Sequence, residues 1–433
     1  MIRFPRLNSY NLGNEDLEIN QSSFDLLNRI PLATLKMLRL FMLVLLAAYV
    51  PFVFSGCTGR DVISVAEGWS PLAVEDAIVY VATKDSKILA LDSNSLERDQ
   101  RNPPIWEFTS TKEDNLGSVF GPPAIGGEFI YVAGSLEKEI TGQVIALKKD
   151  RPSNSQLQPE EWKQSVSGGV IGGPVFYEGI VIVTTDVGKI YCFDGQTGEK
   201  IWSYETEGVK KTNGEGKPIW STPVVEDGVV YVGSMDQSFY ALSLGAEVSD
   251  SERLLWKFKT NGAVVGKALL VEDLVIFGSF DRNLYALDKT KGGKLVWTFQ
   301  SDNLIWAAPV SNGETVYAAS SDGKVYAMPL DRLSGDEIYW VQDLLEPVFS
   351  DPILTSEGLV IATNKGTVSL VDEVDGSVDV IPISTQEDIR APVMSLRLGE
   401  SPLVVFSDLD GVIRAVDVKR WRVIWTMQSR GDT

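Results

Sequence analysis

The chain has 433 residues, 44% of them hydrophobic, and a formal charge of −20 from 59 acidic against 39 basic side chains. Length alone suggests two or three domains, although a repeat array can make a single one of this size. The acidic balance excludes the basic footprint that a nucleic-acid backbone demands. There is no histidine, and the only cysteines are Cys57 and Cys192. His-paired nucleophiles, His-ligated zinc and a disulfide framework are therefore ruled out. A carboxylate or lysine could still do acid–base work, but no cofactor or metal site is expected.

Residues 1–36 are mixed and polar, without sustained periodicity, and are expected to be poorly structured. Residues 37–56 read as a signal peptide. A positive start around Lys36 and Arg39 leads into the apolar run 40–50 and then a small-residue cleavage site. That run is shorter than the roughly 20 residues a membrane span needs, which leaves an uncleaved signal anchor as the alternative. The segment Phe54-Ser55-Gly56-Cys57 resembles the bacterial lipobox. The resemblance implies that Cys57 is lipidated and that cleavage falls before it; several acyl chains then hold the protein stably on a membrane. Thr58 permits sorting to an outer membrane without demanding it. Translation from Met37 would give a compact signal ending at Gly56, and translation from Met1 a long n-region; both starts stand. Residues 57–68 form a short linker.

From residue 69 to residue 428 one unit recurs eight times, followed by the tail 429–433. In the third unit Gly172-Gly173-Pro174 opens a strand, and 180–185, 189–194 and 200–204 supply three more between Gly- and Asp-rich turns. The small-residue-plus-proline opening returns as Ser70-Pro71, Thr222-Pro223, Ala308-Pro309, Asp351-Pro352 and Ala391-Pro392, while the fifth unit reads Gly266-Lys267. Second strands such as Ile78-Val79-Tyr80-Val81 are apolar on both faces, as expected of strands lying between neighbouring sheets. Fourth strands carry Trp106, Trp162, Trp202, Trp256, Trp297, Trp340 and Trp425; the seventh unit has Val380 there, eight residues after Asp372. Sheets of this kind cannot bury two apolar faces alone, and stacking them in a ring solves the problem. The expected fold is all-β: an eight-bladed β-propeller of four-stranded antiparallel blades, preceded by a lipoprotein signal segment.

The pattern Ala-x-Asp-x-x-Thr-Gly-x-x-x-Trp, met in the third unit as Cys192, Asp194, Thr197, Gly198 and Trp202, resembles the tryptophan-docking motif of the PQQ-like propellers. That family comprises the quinoprotein alcohol dehydrogenases and the BamB-type outer-membrane assembly lipoproteins. The resemblance implies that the tryptophans dock blade to blade, each against the alanine strand of an adjacent sheet. The turn residues Asp85, Asp186, Asp236, Asp281, Asp322 and Asp410 supply one carboxylate per hairpin, well short of the oxygen set calcium takes.

Three functions compete. The first is a non-catalytic, membrane-anchored scaffold of the BamB type that binds other envelope proteins through its loops. It would be a monomer on the outer face of the cytoplasmic membrane or on the outer membrane. The second is a quinoprotein dehydrogenase, which resembles this chain in fold but needs an adjacent cysteine pair that is missing here. The third is a sensor with a small ligand in the central channel, for which no convergent polar set is legible in the sequence. The scaffold is preferred. Among the long connections, the stretch with Lys210, Lys211 and Lys217 is the candidate partner loop, a basic patch on an acidic protein.

Overall fold

Apolar residues on both faces of a strand demand a sheet on either side, and the second strands show how this chain provides them. Val79 and Val81 pack with Leu403, Val405 and Trp425 of the last blade, while Tyr80 and Ala82 pack with Ile130 and Val132 of the second. The structure, a computed structural model, describes residues 71–429 apart from 84–85, 96–102, 111–115, 137–140, 154, 208–215, 332–336, 386 and 399–400. The signal segment, the linker, Cys57, Asp85, Lys210 and Lys211 lie outside the described residues.

Among the described residues thirty-two strands form eight antiparallel sheets, each of four strands consecutive in the chain. The blades span residues 72–109, 124–167, 175–205, 224–259, 269–300, 310–343, 353–384 and 394–428. Eight apolar clusters hold the ring, one across each seam between neighbouring blades, and the last blade meets the first through Leu72, Leu91, Leu396 and Trp425. Among the described residues no sheet is completed by a strand from elsewhere in the chain.

The motif residues face one another across strands three and four. Trp106, Trp162, Trp256, Trp297, Trp340 and Trp425 pair with Ala90, Ala146, Ala241, Ala286, Ala327 and Ala415 of their own sheets; Trp202 pairs with Cys192 and Val380 with Ser369. In five blades a register shift follows directly on this small residue. A β-bulge at that point twists the outer strand and turns the indole toward the next blade. The small partner is therefore in the same sheet as the tryptophan, and the ring reaches across to the neighbour's turn.

Five indoles end that reach in a hydrogen bond. Trp106, Trp162, Trp202, Trp297 and Trp340 donate from Nε1 to the carbonyls of Lys149, Gly195, Leu244, Leu330 and Glu373, each just past the third strand of the following blade. Trp425 is buried, but its Nε1 has no partner. The turn glycine of the motif is explained by the same contact. A Cβ on Gly198 would stand 2.6 Å from the Trp162 ring, and one on Gly376 2.7 Å from the Trp340 ring. Both glycines also have φ of +73°, a left-handed conformation that side chains disfavour.

Candidate functional site

The openings of the inner strands crowd together around the axis, which is why they are built from small residues. A Cβ on Gly266 would stand 2.1 Å from the Trp306 carbonyl oxygen, and one on Gly121 2.0 Å from the Gly173 nitrogen. Hydrogen bonds tie one opening to the next. The Gly173 amide donates to Thr222 Oγ1 (3.0 Å), Ser221 Oγ to the Gly266 carbonyl (3.1 Å), the Ala308 amide to Asp351 Oδ1 (2.7 Å), and Ser350 Oγ to the Ala391 carbonyl (2.9 Å).

Inside this belt is a cavity of about 530 Å³, its open mouth included. Residues that precede the inner strands of blades 2 to 8 line it, which places it on the propeller axis. One wall is aromatic. Trp220 and Trp306 have ring centroids 5.8 Å apart, and Phe349 meets Trp306 edge-on at 5.7 Å. Trp220 Nε1 is buried and has no hydrogen-bond partner. Three charged side chains share the lining: Lys267, Asp351 and Arg390. Burial pushes the Asp351 carboxyl above the usual range, opposed by the Ala308 amide and by the Lys267 ammonium. Arg390 pairs with Asp388 at 3.1 Å on the exposed rim.

The sequence reading did not assemble this polar set. Its signal lay in the departures from the repeat. Lys267 stands where the other openings have proline; Asp351 takes the place of Thr222, and Arg390 that of Ser221 and Ser350. Each departure reads singly as noise, and only the ring brings all three to one cavity.

The remaining candidates are dispersed. Lys217 is exposed on the connection into blade 4, three residues before Trp220. Cys192 is a free thiol, fully buried opposite Trp202, and burial pushes its pKa up to about 12, only partly offset by Arg253. The turn aspartates are engaged locally. Asp186 accepts from the Gly169 amide, Asp236 from the Tyr240 hydroxyl, Asp281 from the Asn261 amide and Asp322 from the Asp302 amide. Among the described residues no group of three or more Cys, Asp or Glu side chains is placed to hold a metal ion. A quinone with calcium does not fit the axial cavity, where among the described residues Asp351 is the one carboxylate and no cysteine is present.

Fold and motif together define an eight-bladed propeller of the PQQ-like class. The chain belongs to the family described as outer membrane protein assembly factor BamB, whose profile matches residues 150–247, 246–338 and 293–433. The outer membrane protein assembly factor BamB of Moranella endobia is 24% identical over 355 residues, 79% of this chain and 84% of the relative. The lupanine 17-hydroxylase [cytochrome c] of a Pseudomonas species is 26% identical over 239 residues, 50% of this chain and 34% of that enzyme. Among solved structures, BamB from Moraxella catarrhalis superposes with a TM-score of 0.60 at 16% identity, over 79% of this chain and 95% of that one.

Proposed function

We propose that this protein is a non-catalytic, lipid-anchored propeller of the cell envelope that acts as a scaffold in outer-membrane protein assembly and binds other envelope proteins through its loops. The observation that carries the reading is the family match, which runs from residue 150 to residue 433. The lipobox-like segment ending at Cys57 supplies the anchor, and the rigid ring supplies a platform whose long connections are free to vary. The axial cavity does not favour a quinoprotein dehydrogenase, since that chemistry belongs to a cofactor held by a cysteine pair and several oxygen ligands, and among the described residues the lining offers Asp351 as its one carboxylate and no cysteine.

Two measurements test this. Cys57→Ser should release the protein from the membrane fraction or leave an unprocessed precursor; unchanged processing and retention would overturn the anchor. Affinity purification of the wild-type protein from native membranes should bring down outer-membrane assembly components in fixed stoichiometry. Recovery of the propeller alone, together with one-to-one quinone binding by absorbance titration, would replace the scaffold with the enzyme.

A further inference from the structure

We propose that Asn261 is a site of spontaneous self-modification, where the amide of Gly262 closes on the asparagine side chain and converts it to aspartate and isoaspartate. The change puts a new negative charge, and in the isoaspartate a lengthened backbone, on the connection between blades 4 and 5. This goes beyond the scaffold reading and does not depend on it.

The sequence holds three Asn-Gly pairs, at 213–214, 261–262 and 312–313. The first lies outside the described residues. In such a pair the glycine has no Cβ to shield its nitrogen. That nitrogen forms a bond to the asparagine Cγ, and its proton leaves with the side-chain amine as ammonia. The product is a five-membered succinimide. Water then opens the ring at one of two carbonyls. Opening at the former side-chain carbonyl gives aspartate; opening at the former backbone carbonyl gives isoaspartate, whose main chain runs through Cβ and Cγ. No reactant besides water is needed.

The two described pairs differ in what holds the reacting atoms. Both asparagines are exposed, so access does not separate them. The Asn312 amide is fastened at both of its polar atoms. Its Nδ2 donates to the Tyr317 hydroxyl (3.2 Å) and to Glu373 Oε2 (3.1 Å), and its Oδ1 accepts from the amides of Glu314 (3.1 Å) and Thr315 (2.8 Å). The Gly313 amide donates to Ser311 Oγ at 3.0 Å. Cyclisation there has to break hydrogen bonds on both partners. Asn261 is tied by its backbone N–H, which donates to Asp281 Oδ2 at 2.8 Å. Among the described residues neither its side-chain amide nor the Gly262 N–H has a hydrogen-bond partner. Nucleophile and electrophile are both unengaged at this pair, and the side chain is open to the water that completes the reaction.

The product fits this place poorly. A Cβ on Gly262 would stand 2.2 Å from the Asp281 nitrogen, so the connection lies tight against a hairpin of blade 5. The Phe280 amide donates to the Ala263 carbonyl at 2.8 Å across the same contact. Isoaspartate inserts a methylene into the backbone there, and its carboxylate sets a second negative charge beside Asp281. Conversion therefore loosens one end of the seam between blades 4 and 5.

The test is peptide mapping by mass spectrometry of the full folded chain, incubated at mildly alkaline pH. The chain unfolded in urea serves as the reference, since both pairs are chemically alike there and should convert at similar rates. In the folded protein Asn261 should convert at least about tenfold faster than Asn312, the scale of the hydrogen bonds broken on the way to the transition state at Asn312. Ser311→Ala combined with Glu373→Ala should bring Asn312 toward the rate of Asn261, with the melting temperature showing that the variant folds. The isoaspartate form, separated by its added charge and by chromatography, should melt below both wild type and Asn261→Asp, which gains the charge without the longer backbone. Equal rates at the two sites in the folded wild type, faster conversion of Asn312, or an Asn261 left intact while the unfolded chain converts would each overturn the proposal. An isoaspartate form that melts with wild type would overturn the loosening of the seam.

Discussion

Between blades 2 and 3 the indole of Trp162 lies over Gly198, in the turn before the fourth strand of blade 3; between blades 7 and 8 the two residues have changed places. Blade 7 offers Val380 where the tryptophan belongs, and the turn of blade 8 carries Trp421 in the position of Gly198, four residues before Trp425. Trp421 keeps the left-handed backbone of the glycine it replaces, with φ of 54°. It packs against the cluster shared by blades 7 and 8, beside Leu370 and Val404. A left-handed conformation costs a side-chain residue roughly 1–2 kcal/mol, so burial of the indole has to outweigh that strain. The seam therefore needs one large aromatic ring and one small partner, and either blade can supply the ring.

The largest effect should come from emptying a seam of the usual kind. Trp202 is buried, donates to the Leu244 carbonyl and carries the guanidinium of buried Arg253 at 4.1 Å from its ring centroid. Trp202→Ala should cost about 3–5 kcal/mol in urea unfolding, as expected of a buried aromatic lost to a cavity. A shift below about 1 kcal/mol would show that the seams do not depend on their rings.

The reversed seam gives a sharper test of intermediate size. Val380→Trp alone should destabilise by about 1–3 kcal/mol, because two indoles would compete for one space. Trp421→Gly alone should cost a similar amount through the void it leaves, with relief of backbone strain offsetting part of the loss. The double variant restores the arrangement of the other seams and should lie within about 1 kcal/mol of wild type, a coupling that contacting residues can show. Strict additivity of the two single effects would break the comparison.

The smallest effect concerns the partner beneath the ring. Cys192 fills the slot that alanine fills in six other blades. Cys192→Ala should cost no more than about 1 kcal/mol, the worth of roughly one methylene-sized group. In a Cys57→Ser background the wild-type thiol, with its pKa raised to about 12, should react with a thiol reagent only at the rate of unfolding.

Much of this was legible in the sequence because the repeat is local. Eight strand-turn-strand cycles, their aromatic spacing and the place of Val380 eight residues after Asp372 can all be read within one unit. Trp421 was not legible as a replacement, since its role appears only when blade 8 is set beside the gap left by blade 7. Lys267, Asp351 and Arg390 failed to register for the same reason. Each belongs to a different blade, and their meeting is a property of ring closure rather than of any window along the chain. The tryptophans meet the third strand of the following blade, Trp162 beside Phe193 and Trp202 with Tyr240 and Leu242, while the small residue opposite each indole lies in its own sheet, a pairing that spacing along the chain does not show.

Because among the described residues no sheet borrows a strand from the far end of the chain, the contact between blades 8 and 1 is the one seam between blades that joins distant parts of the polypeptide. Every other seam links neighbouring stretches and can form as the chain collapses locally. Closing this one means tying a loop of about 350 residues, an entropic cost of roughly 5 kcal/mol from the logarithmic loop-closure relation. Side chains such as Leu72, Leu396 and Trp425 meet that cost with apolar burial. The ring thus has a preferred place to spring open, an open washer with seven seams intact, and it lies where the buried Trp425 Nε1 and Ser93 Oγ both lack a hydrogen-bond partner. Hydrogen exchange in the first and last blades should accordingly report opening below the global unfolding free energy.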